Sequence, residues 1–169
     1  AVMYQRNGLG KALVVGRSND VKTKLEEAGL GDAFRELEIV NAANTQYLDV
    51  YKEYLYERLQ RKGYDKIDVH RLATRDRHVF SSLMLAHGHG DGLVTGATRK
   101  SAYLLELVNH VFDADAKHGA VGVTALLHKG RIVLMADTLV HEWPDEHDLA
   151  TIAERGADVA RHLGLEPRV

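Results

Sequence analysis

Ala12-Leu13-Val14-Val15-Gly16 is a short, wholly apolar run, and together with the residues directly after it this run limits the fold more than any other stretch of the chain. A run of that length suits a strand buried on both faces. Ser18 then stands as an N-cap, Val21, Leu25 and Ala28 fall on one helical face, and Gly29 is placed to end the helix. Leu37-Glu38-Ile39-Val40 supplies a second strand. Strand, helix, strand is the signature of a parallel α/β layer.

The same layer continues. A long helix is expected from Gln46 to Lys62, with Leu48, Tyr51, Leu55 and Leu59 as its stripe and Gly63 as its stop. Asp65 to His87 reads as helix in two pieces, with Leu72 in the first and Val79, Phe80, Leu83 and Met84 in the second. Gly92-Leu93-Val94-Thr95-Gly96 is expected as a short strand entering a turn, and Ser101 to Phe112 as helix. The texture changes after Asp113-Ala114-Asp115. Val121 to Leu127 and Ile132 to Ala136 form two apolar runs joined through His128-Lys129-Gly130, the pattern of a hairpin. Asp145 caps a last helix whose stripe runs from Leu149 to Leu163, and Gly164 ends it. The expected fold class is α/β: a parallel-sheet layer with helices on both faces, residues 1–112, and the start of a second α/β subdomain, residues 113–169.

Composition excludes several functions. At 169 residues and 45% hydrophobic the chain is long enough for a real core, and counts as one domain or one and a half small ones. No cysteine is present, so there is no disulfide, thiolate nucleophile or zinc–thiolate site. The net charge of -2 comes without a block of like charge, which argues against a nucleic-acid partner. No apolar run reaches membrane length, and no charged-then-apolar leader opens the chain. The expectation is a cytoplasmic protein. The opening Ala1-Val2-Met3 and the closing Glu166-Pro167-Arg168-Val169 read as cuts from something longer.

Five stretches have residue types that carry chemistry. His87-Gly88-His89-Gly90-Asp91 offers imidazole and carboxylate, ligands that suit zinc. The alternative is a Gly-rich loop with two exposed histidines, and among ten histidines such proximity arises easily. No metal is expected there. Gly8-Leu9-Gly10-Lys11 has phosphate-loop residues but precedes the strand, whereas a phosphate turn comes after one. Gly16-Arg17-Ser18-Asn19 comes after the strand but carries no dinucleotide fingerprint. No serine sits in a nucleophile elbow. Thr95-Gly96-Ala97-Thr98-Arg99-Lys100 is more promising: a Gly turn with hydroxyls and two adjacent cations, opening a helix. Open α/β sheets gather ligands at the carboxyl ends of strands, and helix starts with nearby cations favour anions. Thr95, Gly96, Thr98, Arg99 and Lys100 are therefore candidate anion contacts, with Arg75 as a further cation; the alternative is a solvated turn. Asp137-Thr138 ends another expected strand, and Asp137 is a candidate on the same ground. Its alternative role is to cap the backbone amides of a turn.

Several separated segments, in order, resemble one family. Tyr56-Glu-Arg-Leu-Gln-Arg-Lys-Gly-Tyr64, Gly92 to Arg99, Ala136-Asp-Thr-Leu-Val-His141 and Ile152 to Val169 are similar to the carboxy-terminal region of bacterial multidomain malic enzymes. That region is in turn similar to phosphotransacetylases, the phosphate acetyl/butyryl transferases. The resemblance covers nearly the whole chain. It implies a two-part fold of the phosphotransacetylase and isocitrate-dehydrogenase kind, a homo-oligomer (dimer or higher), and acyl-CoA bound in a cleft. In the malic enzymes it implies a regulatory region that senses acetyl-CoA. Malate oxidation there uses NADP or NAD with Mg²⁺ or Mn²⁺ and belongs to another region, so no cofactor is expected within these residues.

Two departures from the transferases bear on activity. Where active members carry an arginine in the helix after the Gly-Ala turn, matching Gly96-Ala97 and Val111-Phe112 puts Glu106. A carboxylate there repels phosphate and acyl phosphate. The family's catalytic serine, arginine and aspartate lie beyond the Pro-Arg-Val segment, so no catalytic residue is assigned here. The loop from His87 to Asp91 also replaces the family's usual Gly-Asp-Ala-Asp pattern. Three readings are open: a regulatory malic-enzyme region without chemistry of its own, a part of a true phosphate acetyltransferase, or a purely structural oligomerisation module. Glu106 weighs against the second.

Overall fold

The computed structural model describes residues 1–97, 99–112 and 119–168. The chain divides into two compact units: Ala1–Thr98 with Glu106–Phe112, and Arg99–Leu105 with Asp113–Val169.

The first unit opens with α1 (Val2–Arg6), β1 (Leu13–Val15), α2 (Ser18–Glu27) and β2 (Glu38–Val40). β1 and β2 pair in parallel, Leu13 opposite Glu38 and Val15 opposite Val40. The strand–helix–strand expectation holds, with two local differences. β1 is half-exposed, because this sheet has two strands and cannot bury a strand on both faces. Arg17, not Ser18, precedes α2, and no side chain caps that helix.

α3 (Leu48–Leu59), α4 (Lys66–Arg75) and α5 (Arg77–Ala86) then build the core. Asp65 starts α4 by accepting from the amides of Ile67 and Asp68 at 2.7 and 2.8 Å, and Asp68 returns the bond to Asp65. Asp76 both ends α4 and caps α5, taking the amides of His78 and Val79. Tyr51, Leu55 and Leu59 from α3 meet Val69 and Ala73 from α4 and Val79, Phe80 and Leu83 from α5, all buried. Leu107 of α6 (Ser101–Asn109) and Val111 close this cluster, and Val15 and Val40 attach the sheet to it.

Ser82 is the exception in that core. It is fully buried on α5, and among the described residues its Oγ is the buried side-chain polar atom without a hydrogen-bond partner. A hydroxyl buried without a partner costs about 1–3 kcal/mol. Ser82→Ala is therefore expected to stabilise the chain by about 1 kcal/mol, after a small packing loss. A raised urea midpoint is the expected result; a lowered one contradicts this account.

In the second unit, β3 (Val123–His128) and β4 (Arg131–Ala136) form the expected antiparallel hairpin, Val123 opposite Ala136 and His128 opposite Arg131. Lys129 and Gly130 make its turn with φ of 47° and 76°. α7 (Glu146–His162) begins at a capping box formed by Asp145 and Asp148. It packs on β4 where Gly156 comes so close to Ala136 that a Cβ would stand 3.1 Å from that side chain.

The expected strand at Gly92–Gly96 does not form. Among the described residues no β-ladder pairs with it, and Val94 is fully exposed. The first sheet has two strands, β1 and β2, and this segment is paired with neither.

Candidate functional site

The turn singled out by its hydroxyls and cations is described at every residue but Thr98, which lies outside the described residues. Gly96 and Ala97 both have positive φ, 121° and 66°. Ala97 shares that property with Lys129 alone among the described non-glycine residues. The left-handed region costs a residue with a Cβ about 1–2 kcal/mol, so the surrounding contacts hold this turn in place.

One such contact is a hydrogen bond between Thr95 Oγ1 and His78 Nδ1. His78 is on the first turn of α5, with its own amide on Asp76 at 2.8 Å. Arg75 ends α4, and Arg77 begins α5. The first unit thus ties Thr95 to a junction where Arg75, Arg77 and His78 lie within four consecutive positions, and both arginines are exposed. His78 carries no signal in the sequence that would mark it for this role. Its spacing from Thr95 has no periodicity.

In the second unit Arg99 and Lys100 are exposed just before α6. The Arg99 guanidinium stands 5.9 Å from the Tyr103 ring centroid, a cation–π contact that restrains it without neutralising it. Asp137 comes directly after β4 and has its carboxylate filled. Oδ1 accepts from the amides of Gly122, Leu139 and Val140 at 3.3, 3.3 and 3.0 Å. Oδ2 accepts from the amide of His141 at 2.9 Å and from its Nδ1. Burial pushes the Asp137 pKa up, but hydrogen bonds from His141 and the Val140, His141 and Leu139 amides outweigh it and hold the carboxyl well below the usual range. Asp137 thus takes the capping role that was the alternative to ligand contact.

The His87–Asp91 loop is occupied by packing. His87 Nδ1 bonds the Leu83 carbonyl at 2.8 Å, and His89 Nδ1 bonds the Tyr51 hydroxyl. The Tyr47 ring lies 4.3 Å from that of His89, and the Tyr54 ring 5.0 Å from that of His87, so three tyrosines on and beside α3 clamp the loop. Burial, with a smaller contribution from Tyr47, pushes Tyr51 up to about 12. Its phenol thus stays protonated across the physiological range. Among the described residues no group of three His, Cys, Asp or Glu could hold a metal ion. His110, another core histidine, is satisfied at both nitrogens by the Glu106 carbonyl at 2.6 Å and the Tyr64 hydroxyl at 2.9 Å. The Glu106 side chain is exposed on α6.

Surface depressions lie elsewhere. One runs along α7 at Ala153, Ala157 and Arg161, and another between α3 and α4 at Lys52, Tyr56, Lys66 and His70. Neither includes a residue chosen from the sequence.

These features join a whole-chain family match. The family pattern of phosphate acetyl/butaryl transferase fits residues 1–169. The chain belongs to the phosphate acetyl/butaryl transferase family. Within it, the chain is 42% identical over 169 residues to an NADP-dependent malic enzyme of Rhizobium meliloti, covering all of this chain and 22% of that protein. It is 25% identical over 178 residues to a phosphate acetyltransferase of Thermoanaerobacterium thermosaccharolyticum, covering 97% of this chain and 51% of that one. A crystal structure of a phosphotransacetylase from Streptococcus pyogenes has the same fold, with a TM-score of 0.84 at 23% identity, over 99% of this chain and 50% of that one. The α/β fold of the phosphotransacetylases and the likeness to the carboxy-terminal domain of malic enzymes both stand. The chain spans about a fifth of the malic enzyme and half of the transferases. Among the described residues no helix is long and apolar enough to cross a membrane.

Proposed function

We propose that this phosphate acetyl/butaryl transferase family member is the regulatory part of a cytoplasmic, homo-oligomeric malic enzyme, and that it binds acetyl-CoA or a related acyl-CoA as effector. The observation that carries the reading is the whole-chain identity to the malic enzyme, well above that to the acetyltransferase. Glu106 supports it, because the resemblance implies an arginine at that position in active transferases, and a carboxylate there opposes an acyl phosphate. NADP or NAD, and Mg²⁺ or Mn²⁺, would serve malate chemistry in another region of such a protein.

The effector carries a pyrophosphate and a ribose phosphate, so cations must meet it. Arg99 and Lys100 are the exposed pair we assign to those phosphates. A hydrogen bond to a charged group contributes about 1.5–3 kcal/mol. Arg99→Ala or Lys100→Ala in the intact protein is thus expected to weaken the acetyl-CoA response on the order of tenfold or more. An unchanged effector titration in both variants removes these two residues from the site.

The same reading gives a chemical expectation. Stabilisation of developing charge is usually the largest catalytic contribution, and the resemblance to the transferases implies that Glu106 stands where active members carry an arginine. Purified chain mixed with acetyl phosphate and CoA should form no thioester above a heat-inactivated control. Clear turnover favours the acetyltransferase reading instead.

A further inference from the structure

The β3–β4 hairpin is apolar on both faces, and α7 packs on one of them. Side chains alternate along a strand, and residues directly opposite on neighbouring strands share a face. Ala136, Leu134 and Ile132 therefore point to one side of β4, and Gly156 of α7 lies against Ala136 on that side. The other side holds Arg131, Val133 and Met135, with His128, Leu126 and Thr124 opposite them on β3. Val133, Leu126 and Met135 are 56%, 48% and 45% exposed there. A hairpin with one face in water alternates apolar and polar residues, whereas strands covered on both faces read as unbroken apolar runs. Ala125-Leu126-Leu127 and Ile132-Val133-Leu134-Met135-Ala136 are runs of the second kind. This open face is built to be covered.

Its size and charge say by what. Each strand has six residues, so the face is about 20 Å long and about 10 Å wide. That is the footprint of one α-helix of about 13 residues. A second copy stacked through the same face would cover only about 200 Å² on each partner, far below the roughly 800 Å² of a stable pair. His128 and Arg131 stand at the turn end, and none of the six residues on the face is acidic. A matching helix therefore has an apolar stripe and a carboxylate beside Arg131. This chain accounts for half of the phosphotransacetylase that shares its fold, so that fold has a further half able to supply such a helix. We infer that the outer face of β3–β4 is a docking surface for an amphipathic helix with an acidic flank, supplied by the half of the family fold outside these residues. The inference rests on the malic-enzyme reading in placing this region within a longer chain; acetyl-CoA has no part in it.

The test is thiol labelling. The chain has no cysteine of its own, so Val133→Cys puts a single probe at the centre of the face. Its reaction with iodoacetamide is followed by mass spectrometry of the labelled peptide, in the 169-residue chain and in a malic enzyme that contains this region, both without acetyl-CoA. A covered thiol reacts only when its cover opens locally, so labelling is expected to be on the order of tenfold or more slower in the longer protein. Adding Arg131→Glu should set like charges against each other and bring the rate in the longer protein back toward that of the 169-residue chain. Equal rates in the two proteins overturn the inference, and so does protection that Arg131→Glu leaves unmoved. Protection that grows with concentration in the 169-residue chain makes the occupant a second copy and overturns it too. Malate turnover insensitive to acetyl-CoA, beside a protected thiol, overturns the effector reading and leaves this inference standing.

Discussion

Phe80→Ala is expected to cost about 3–5 kcal/mol of stability, the range for removing a buried aromatic ring. Phe80 is fully buried on α5 and meets Tyr51 edge-on, with centroids 5.7 Å apart and planes at 66°. Truncation removes the apolar contacts and leaves a cavity beneath Tyr51. That phenol in turn anchors His89, so the loop leading to Thr95 loosens with it. Against a typical total of about 5–15 kcal/mol, such a loss brings the chain close to unfolding. Urea denaturation should show a much lower midpoint or no cooperative transition. Phe80→Leu keeps most of the volume and should cost about 1.5 kcal/mol or less. A Phe80→Ala chain within about 1 kcal/mol of its parent, on the order of an ordinary surface change, contradicts the assigned core.

Asp137→Ala comes next, at about 3 kcal/mol. The Asp137 side chain is 3% exposed and serves the amides of Gly122, Leu139, Val140 and His141 together with the His141 ring. Alanine leaves these donors without an acceptor at the start of the β4–α7 connection. Asparagine keeps one oxygen and should fall between the two. The sign with pH comes from the lowered carboxyl. A carboxylate depressed in the folded state stabilises fully above its unfolded value, near about 3.9, and loses that contribution as pH falls through the folded value. The gap between wild type and Asp137→Asn should therefore be widest near neutral pH and shrink in acid below about pH 4. A gap that widens on acidification contradicts the assignment.

Much of the fold was legible because local rules were obeyed. Asp145 occupies the cap position read for it, and Gly63 and Gly164 stand in the left-handed region where helices stop; the caps at Asp65 and Asp76 follow the same rule but were not singled out. The α3 stripe of Tyr51, Leu55 and Leu59 is buried as its spacing requires. The missed features depend on distant partners. α1 is five residues long, with no stripe to read. It is held by Gln5, which accepts from Ala12 N and donates to the Glu36 carbonyl, and by Arg6 on Glu36 at 2.6 Å. Leu93 and Val94 have strand residue types, but residue type does not settle strand formation, which depends on packing against neighbours distant in the chain.

The site was less legible than the fold. Hydroxyls and cations marked the turn, yet nothing near Thr95 in sequence points to His78, 17 positions earlier. The same limit made His87 and His89 resemble ligands, since the tyrosines that engage them lie some 35 residues upstream. Asp137 shows the converse: its role in the turn is local, and four of its five donors come from residues 139–141.

Allosteric regulation requires two sites joined by a coupling free energy, typically about 1–3 kcal/mol. The direct test of the proposed role is malate turnover, as a function of acetyl-CoA, by a malic enzyme that contains this region, set beside a variant of that enzyme from which the region is removed. The account predicts that acetyl-CoA changes the activity of the enzyme with the region and leaves that of the enzyme without it unaltered. An acetyl-CoA response that survives the deletion contradicts it.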